Sequence, residues 1–156
     1  MNKEYECDGC DYQIIKPDGE HCGKDPEDLN PLCPMVETFE NKIVIIVKDI
    51  PPSNNKFMGR ENRWNYQKYK KEWSELMQSG MMVIPERPIK KAKVHIHYTF
   101  PTRTRRDPDN YSGKMILDPL VSFGIIQDDS FNNIDLILSA GYEKGIKETK
   151  IEITEV

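Results

Sequence analysis

The chain has 156 residues, 37% hydrophobic and 31% charged, enough for one domain with a modest core and too few for a multidomain enzyme. No apolar run approaches the roughly 20 residues that cross a bilayer, and the acidic, polar start MNKEYECDGC is unlike a secretory signal, so a cytoplasmic protein without membrane attachment is expected. The formal net charge of −4 hides a segregation: residues 1–50 carry −7, residues 51–106 carry +9 and residues 107–156 carry −6. A basic middle before an acidic end suits a protein that holds phosphates on one surface and a divalent cation on another, although lysines that only solvate a helix and a strand give the same balance.

Residues 1–40 hold all four cysteines, Pro17, Pro26, Pro31 and Pro34, and no periodic apolar pattern. They read as a Cys-rich leader, with the folded domain expected over 41–156. Cys7 and Cys10 form one half of a zinc site. Cys22 and Cys33, or His21 in place of a cysteine, can supply the other half, and reduced free thiols are the alternative because no second CxxC follows. A zinc-bound leader would be ordered by Zn²⁺ and lose its structure on chelation, while the domain behind it would survive.

From Ile43 to Val47 a β-branched run predicts a buried strand ended by Pro51-Pro52. Residues 61–79 space Trp64, Tyr69, Trp73 and Leu76 or Met77 as an amphipathic helix does, with Gly80 as its stop; both tryptophans read as packing the helix and not as stacking on bases. Lys91 to Phe100 alternates Ala92, Val94, Ile96 and Tyr98 with Lys93, His95, His97 and Thr99, a half-buried strand. His95 and His97 share one face of it and read as an ordinary solvated pair in preference to a metal site.

Asp107 as N-cap, Pro108 as first residue and Gly124 as stop predict one helix, kinked near 115–118 by Pro119. Two last strands, about 131–142 and 146–155, are joined by a turn at Glu143-Lys144-Gly145. The order β-α-β-α-β-β predicts an α/β (α+β) domain, helices packed on a mixed sheet. No internal repeat is present.

The chemistry concentrates in Asp107, Asp109, Asp118, Asp128 and Asp129, with Lys114 among them. Singly these are caps and turn residues; together they form an oxygen-only donor set suited to Mg²⁺. The stretch 107–118 is not an EF-hand loop, because Tyr111, Ser112 and Asp118 stand where a ligand, a glycine and a glutamate are required. Lys56, Arg60, Arg63, Lys68, Lys70, Lys71, Arg103, Arg105 and Arg106 supply a basic stretch able to hold DNA phosphates, the last three beside the acids.

In order, PPSNN (51–55), RRDPDN (105–110), Lys114, LDPL (117–120), GIIQDD (124–129) and two closing strands resemble the RusA-type Holliday-junction resolvases, over about residues 41–156. The resemblance implies a RusA-like fold with a terminal β-hairpin. It also implies a homodimer that binds four-way DNA junctions and hydrolyses phosphodiesters with Mg²⁺ in recombination and repair. By position it makes Asp107, Asp109 and Asp129 the catalytic, metal-binding acids, Lys114 the catalytic lysine, and Asp118 and Asp128 accompanying acids. Lys114 lies five residues after Asp109, one more than the commoner family spacing, as if a residue were inserted around Ser112-Gly113. The alternative from another class is a non-catalytic DNA- or protein-binding adaptor, in which the acids only cap turns and the cysteine leader does the recognising.

Overall fold

The computed structural model describes residues 35–39, 41–58, 63–80 and 84–156. Cys7, Cys10, His21, Cys22, Cys33 and Arg60 lie outside the described residues, and so does the side chain of Arg63. The β-branched run forms β2 (Lys42–Val47), with Ile43, Val44, Ile45 and Val47 buried. Before it, β1 (Met35–Phe39) pairs antiparallel with β2 from Phe39↔Lys42 to Met35↔Ile46. The sheet therefore begins inside the stretch assigned to the leader, and the expected boundary at residue 41 moves to Met35 or before. An edge strand needs only backbone pairing with its neighbour, so it shows no apolar run of its own.

Helix α1 (Arg63–Gly80) ends at the expected glycine. Trp73 and Met77 are buried on its inner face, and Tyr66, Tyr69 and Leu76 pack beside them. Trp64 corrects the expectation: it is 85% exposed, while Trp73 is 4% exposed. The inner stripe runs through 66, 69/70, 73 and 77, the 3.6-residue spacing of a helix face; Trp64 falls off it.

Strand β3 (Ala92–Phe100) alternates as expected, with Ala92, Val94, Ile96, Tyr98 and Phe100 buried in the core. The helix expected over 107–124 is two pieces: a 3-10 turn at Pro108–Tyr111 and helix α2 (Lys114–Ser122). The interruption falls at Gly113, which precedes α2 in a left-handed conformation (φ 79°), and not at Pro119, which α2 contains. The Asp107-Pro108 signal was a true start, but of a 3-10 turn, which begins with the same residues. Gly124 (φ 73°) does close the helix: its amide donates to the Val121 carbonyl and that of Ile125 to the Leu120 carbonyl, a Schellman cap.

The last two strands, β4 (Ile134–Tyr142) and β5 (Glu148–Glu155), do not pair with each other. The sheet order is β1-β2-β5-β3-β4; β4 runs parallel to β3, and β5 lies antiparallel between β2 and β3. This corrects the expected terminal hairpin. After β3, α2 makes the crossover that a parallel neighbour requires. Strand β5, with Ile151 and Ile153 fully buried, then takes a central position, and β4, with Leu136, Ile137 and Ala140 exposed, takes the edge. The core faces α1 and α2. Among the described residues the architecture is thus a mixed α+β sheet with two α-helices, and no described helix is long and apolar enough to cross a membrane.

Candidate functional site

Beyond Phe100, the last residue of β3, the loop to Asp107 carries the three arginines. Arg106 is turned inward on the loop itself: its guanidinium donates to the carbonyls of Thr102 (2.9 Å) and Thr104 (2.8 Å) and to the Thr102 hydroxyl (2.8 Å), and lies 4.1 Å over the Phe100 ring. It is a loop brace before it is a phosphate contact. Arg105 is exposed and reaches Asp107 at 3.4 Å, and Arg103 lies 4.8 Å over the Tyr142 ring. Lys56 donates to the Tyr69 hydroxyl at 2.9 Å and sits over that ring.

The 3-10 turn is anchored from below. Tyr111 packs against Phe100 and Tyr98, with ring centroids 5.1 and 5.7 Å apart, and its carbonyl accepts the Tyr98 hydroxyl at 3.2 Å. Burial, and secondarily the neighbouring Tyr111, hold the Tyr98 hydroxyl far above its ordinary proton affinity, so it remains a donor. From the side, Asn54 donates through Nδ2 to the Asp109 carbonyl and the Ser112 hydroxyl, each at 3.0 Å. The PPSNN loop and the DPDN turn, over fifty residues apart in sequence, are thereby joined. A shallow cleft between them is lined by Pro51, Pro52, Asn54, Tyr111, Ser112 and Lys114.

At the start of α2, Lys114 reaches Asp118 one helical turn on, at 3.3 Å. Asp118 is also held by Lys70 of α1, at 2.5 Å. Burial pushes the Asp118 carboxyl up, but the hydrogen bonds and charges of Lys70 and Lys114 outweigh it and leave the group below the usual carboxylate range. Lys114 is shifted up, first by its hydrogen bond to Asp118 and then by that carboxylate's charge, with Tyr66 and Asp129 adding smaller pulls. Asp129 is thus within electrostatic reach of Lys114. Its position is set by the segment before it, where Ile89 and residues 125–127 exchange backbone hydrogen bonds of 2.9 Å.

Of the acids singled out in the sequence, Asp118 is committed to two lysines, and Asp107 faces Arg105. Asp109, Asp128 and Asp129 form no ion pair among the described residues. Among those residues no three His, Cys, Asp or Glu side chains are grouped closely enough to enclose a metal ion. The donors therefore do not fit a caged metal. Mg²⁺ asks for less than a cage, since it takes one or two carboxylates and completes its shell with water and substrate oxygens. Two contacts in this region escaped the sequence reading. Lys70 appeared there only as one more basic residue, though Tyr66, Lys70, Trp73 and Met77 fall on one helix face, and that spacing is the signal. Asn54 was visible only as part of the PPSNN motif, and its contacts were not, because its partners are distant in sequence.

No family model matches the chain, and no curated protein matches it. Among solved structures, it is similar to the periplasmic domain of Helicobacter pylori MotB, at 10% identity over 77% of this chain and 78% of that one, with a TM-score of 0.35. A superposition that loose carries no argument about fold or function.

Proposed function

We propose that the chain is a Mg²⁺-dependent endodeoxyribonuclease of RusA-like fold that acts on four-way or other branched DNA as a homodimer. The observation that carries this reading is the join made by Asn54, which brings PPSNN against the DPDN turn and the head of α2, next to an arginine loop. Asp129 with one of Asp107 and Asp109 would hold the ion, water and substrate oxygens completing its shell, and the ion would supply an activated water and stabilise charge on the phosphoryl and leaving oxygens. Lys114, oriented by Asp118 and Lys70, presents its ammonium to the scissile phosphate. Lys56, Arg103 and Arg105 offer sequence-blind contacts to flanking phosphates, and the exposed Trp64 offers a face to unpaired bases.

One symmetric junction needs two cuts and the chain carries one acidic set, so two copies are required, paired through the same surface. Resolution by a particle that sediments as a monomer would refute the dimer. The rival reading, a binding adaptor, draws on the absence of any three grouped ligands among the described residues. Wild-type cutting of a junction separates the two readings, since an adaptor binds and leaves it whole; Asp129→Asn should bind a junction as wild type does and fail to cut it, and cutting at the wild-type rate would overturn the role assigned to Asp129.

A further inference from the structure

The sheet face turned away from the helices carries a polar cluster that phosphodiester hydrolysis does not use. His95 and His97 alternate with the core residues Val94, Ile96 and Tyr98, so both rings stand on this outer face. In the sheet ladder His95 lies opposite Glu152 of β5, and His97 lies beside Ser139 of β4. His95 Nε2 and His97 Nδ1 each lie 2.7 Å from the Ser139 hydroxyl oxygen. Two imidazole nitrogens thus converge on one point.

One assignment of the ring protons suits these surroundings. Glu152 Oε1 accepts from Lys42 at 3.0 Å and from Lys150 at 2.9 Å, and Oε2 faces His95 Nδ1 at 3.5 Å. A carboxylate only accepts, so a neutral His95 protonated on Nδ1 presents a donor to Glu152 and turns the Nε2 lone pair to Ser139. The Ser139 hydroxyl then donates to His95, and His97 donates to Ser139 through Nδ1. The His97 ring has room because residue 141 is glycine: a Cβ there would come within 3.1 Å of His97 Nε2.

We propose that His95 and His97 form a two-imidazole site for a borderline transition ion of the Zn²⁺ type, with Ser139 turning aside to admit it. Imidazole nitrogen selects such ions over Mg²⁺, and a carboxylate behind the ligating ring is the usual device that orients it. With two protein ligands the site is open, and water or a partner's donor fills the remaining positions. A serine nucleophile is the other chemistry this geometry evokes. It fails here, because Ser139 lies mid-strand, where successive amides point to opposite edges, so β4 offers no convergent pair of donors for an oxyanion.

The test is a Zn²⁺ titration of the full chain followed by the assigned imidazole nitrogen resonances, which report on the rings whatever the cysteines bind. The expected result is a saturable change at both His95 and His97, with the His97 proton moving from Nδ1 to Nε2. His97→Ala should abolish the response of His95, and Glu152→Gln should weaken binding about tenfold or more. Ser139→Ala, which leaves both rings in place, should still bind. Rings that ignore millimolar Zn²⁺, or that respond independently of each other, would overturn the site. No DNA cleavage enters the readout, so failure here is distinct from failure of the nuclease reading.

Discussion

Replacing Gly113 by alanine tests how the acidic turn is connected to α2. The residue sits at φ 79°, and a Cβ on it would lie 2.8 Å from Ile96 Cδ1 and 3.8 Å from Leu138 Cδ2. The left-handed conformation costs a residue with a Cβ about 1–2 kcal/mol. Ile96 is fully buried, so relieving the contact forces a shift in a packed core, at about 1–3 kcal/mol. Reduced freedom of the unfolded chain returns about 0.4–1 kcal/mol, leaving a net loss of roughly 1–4.5 kcal/mol and, at about 2–4 °C per kcal/mol, a fall in Tm of order 2–18 °C. Gly145→Ala is the control: it has the same φ of 79° but nothing within 4 Å, and should lose only the conformational part. Thermal and urea melts followed by circular dichroism measure both. Equal losses in the two variants would refute the steric half of the argument, and no loss in either would refute all of it.

Asp118→Asn removes the carboxylate between Lys70 and Lys114 and leaves two ammonium groups facing each other. The loss should be about 1–3 kcal/mol in a urea melt, chiefly from the tighter Lys70 contact, since the exposed Lys114 pair contributes little. Because the folded-state pKa of Asp118 lies below its ordinary 3.8, this stabilisation is present above that value and disappears as pH falls through the lower one; a pH-independent difference between variant and wild type would contradict it. Glu152 is held down to about 2, from an ordinary 4.5, by Lys150 and then Lys42. Glu152→Gln should therefore be less stable than wild type at pH 7, with the gap closing between pH 4.5 and 2.

What the sequence revealed was local. The alternation along β3, the β-branched run of β2 and the glycine stops of α1 and α2 each follow from a side-chain period or a backbone preference confined to neighbouring residues. Pairing is not local. Nothing between Tyr142 and Glu148 announces that β5 passes over β3 to lie beside β2; that depends on which strand pairs along both of its edges, a property of the assembled sheet. The break before α2 was hidden for a different reason: Asp107-Pro108 starts a 3-10 turn as well as an α-helix, and only the close approach of Ile96 makes Gly113 obligatory. In the site, the acids and arginines were visible as residue types, and the resemblance supplied their order. Their commitments were not visible. Arg106 braces its own loop, Asp118 is taken by two lysines, and the contact that joins the two loops comes from Asn54, which carries no charge and no periodicity.

The central claim is that this chain cuts branched DNA with a metal held at the DPDN turn and Asp129. The direct measurement is incubation of the purified chain with a synthetic four-way junction labelled on each arm, with Mg²⁺ and with a chelator in its place. Paired, symmetric nicks that require Mg²⁺ and vanish in Asp129→Asn, while a linear duplex of the same sequence stays intact, are the predicted result. A junction that is bound but left whole at every Mg²⁺ concentration would contradict the nuclease reading and leave a binding protein.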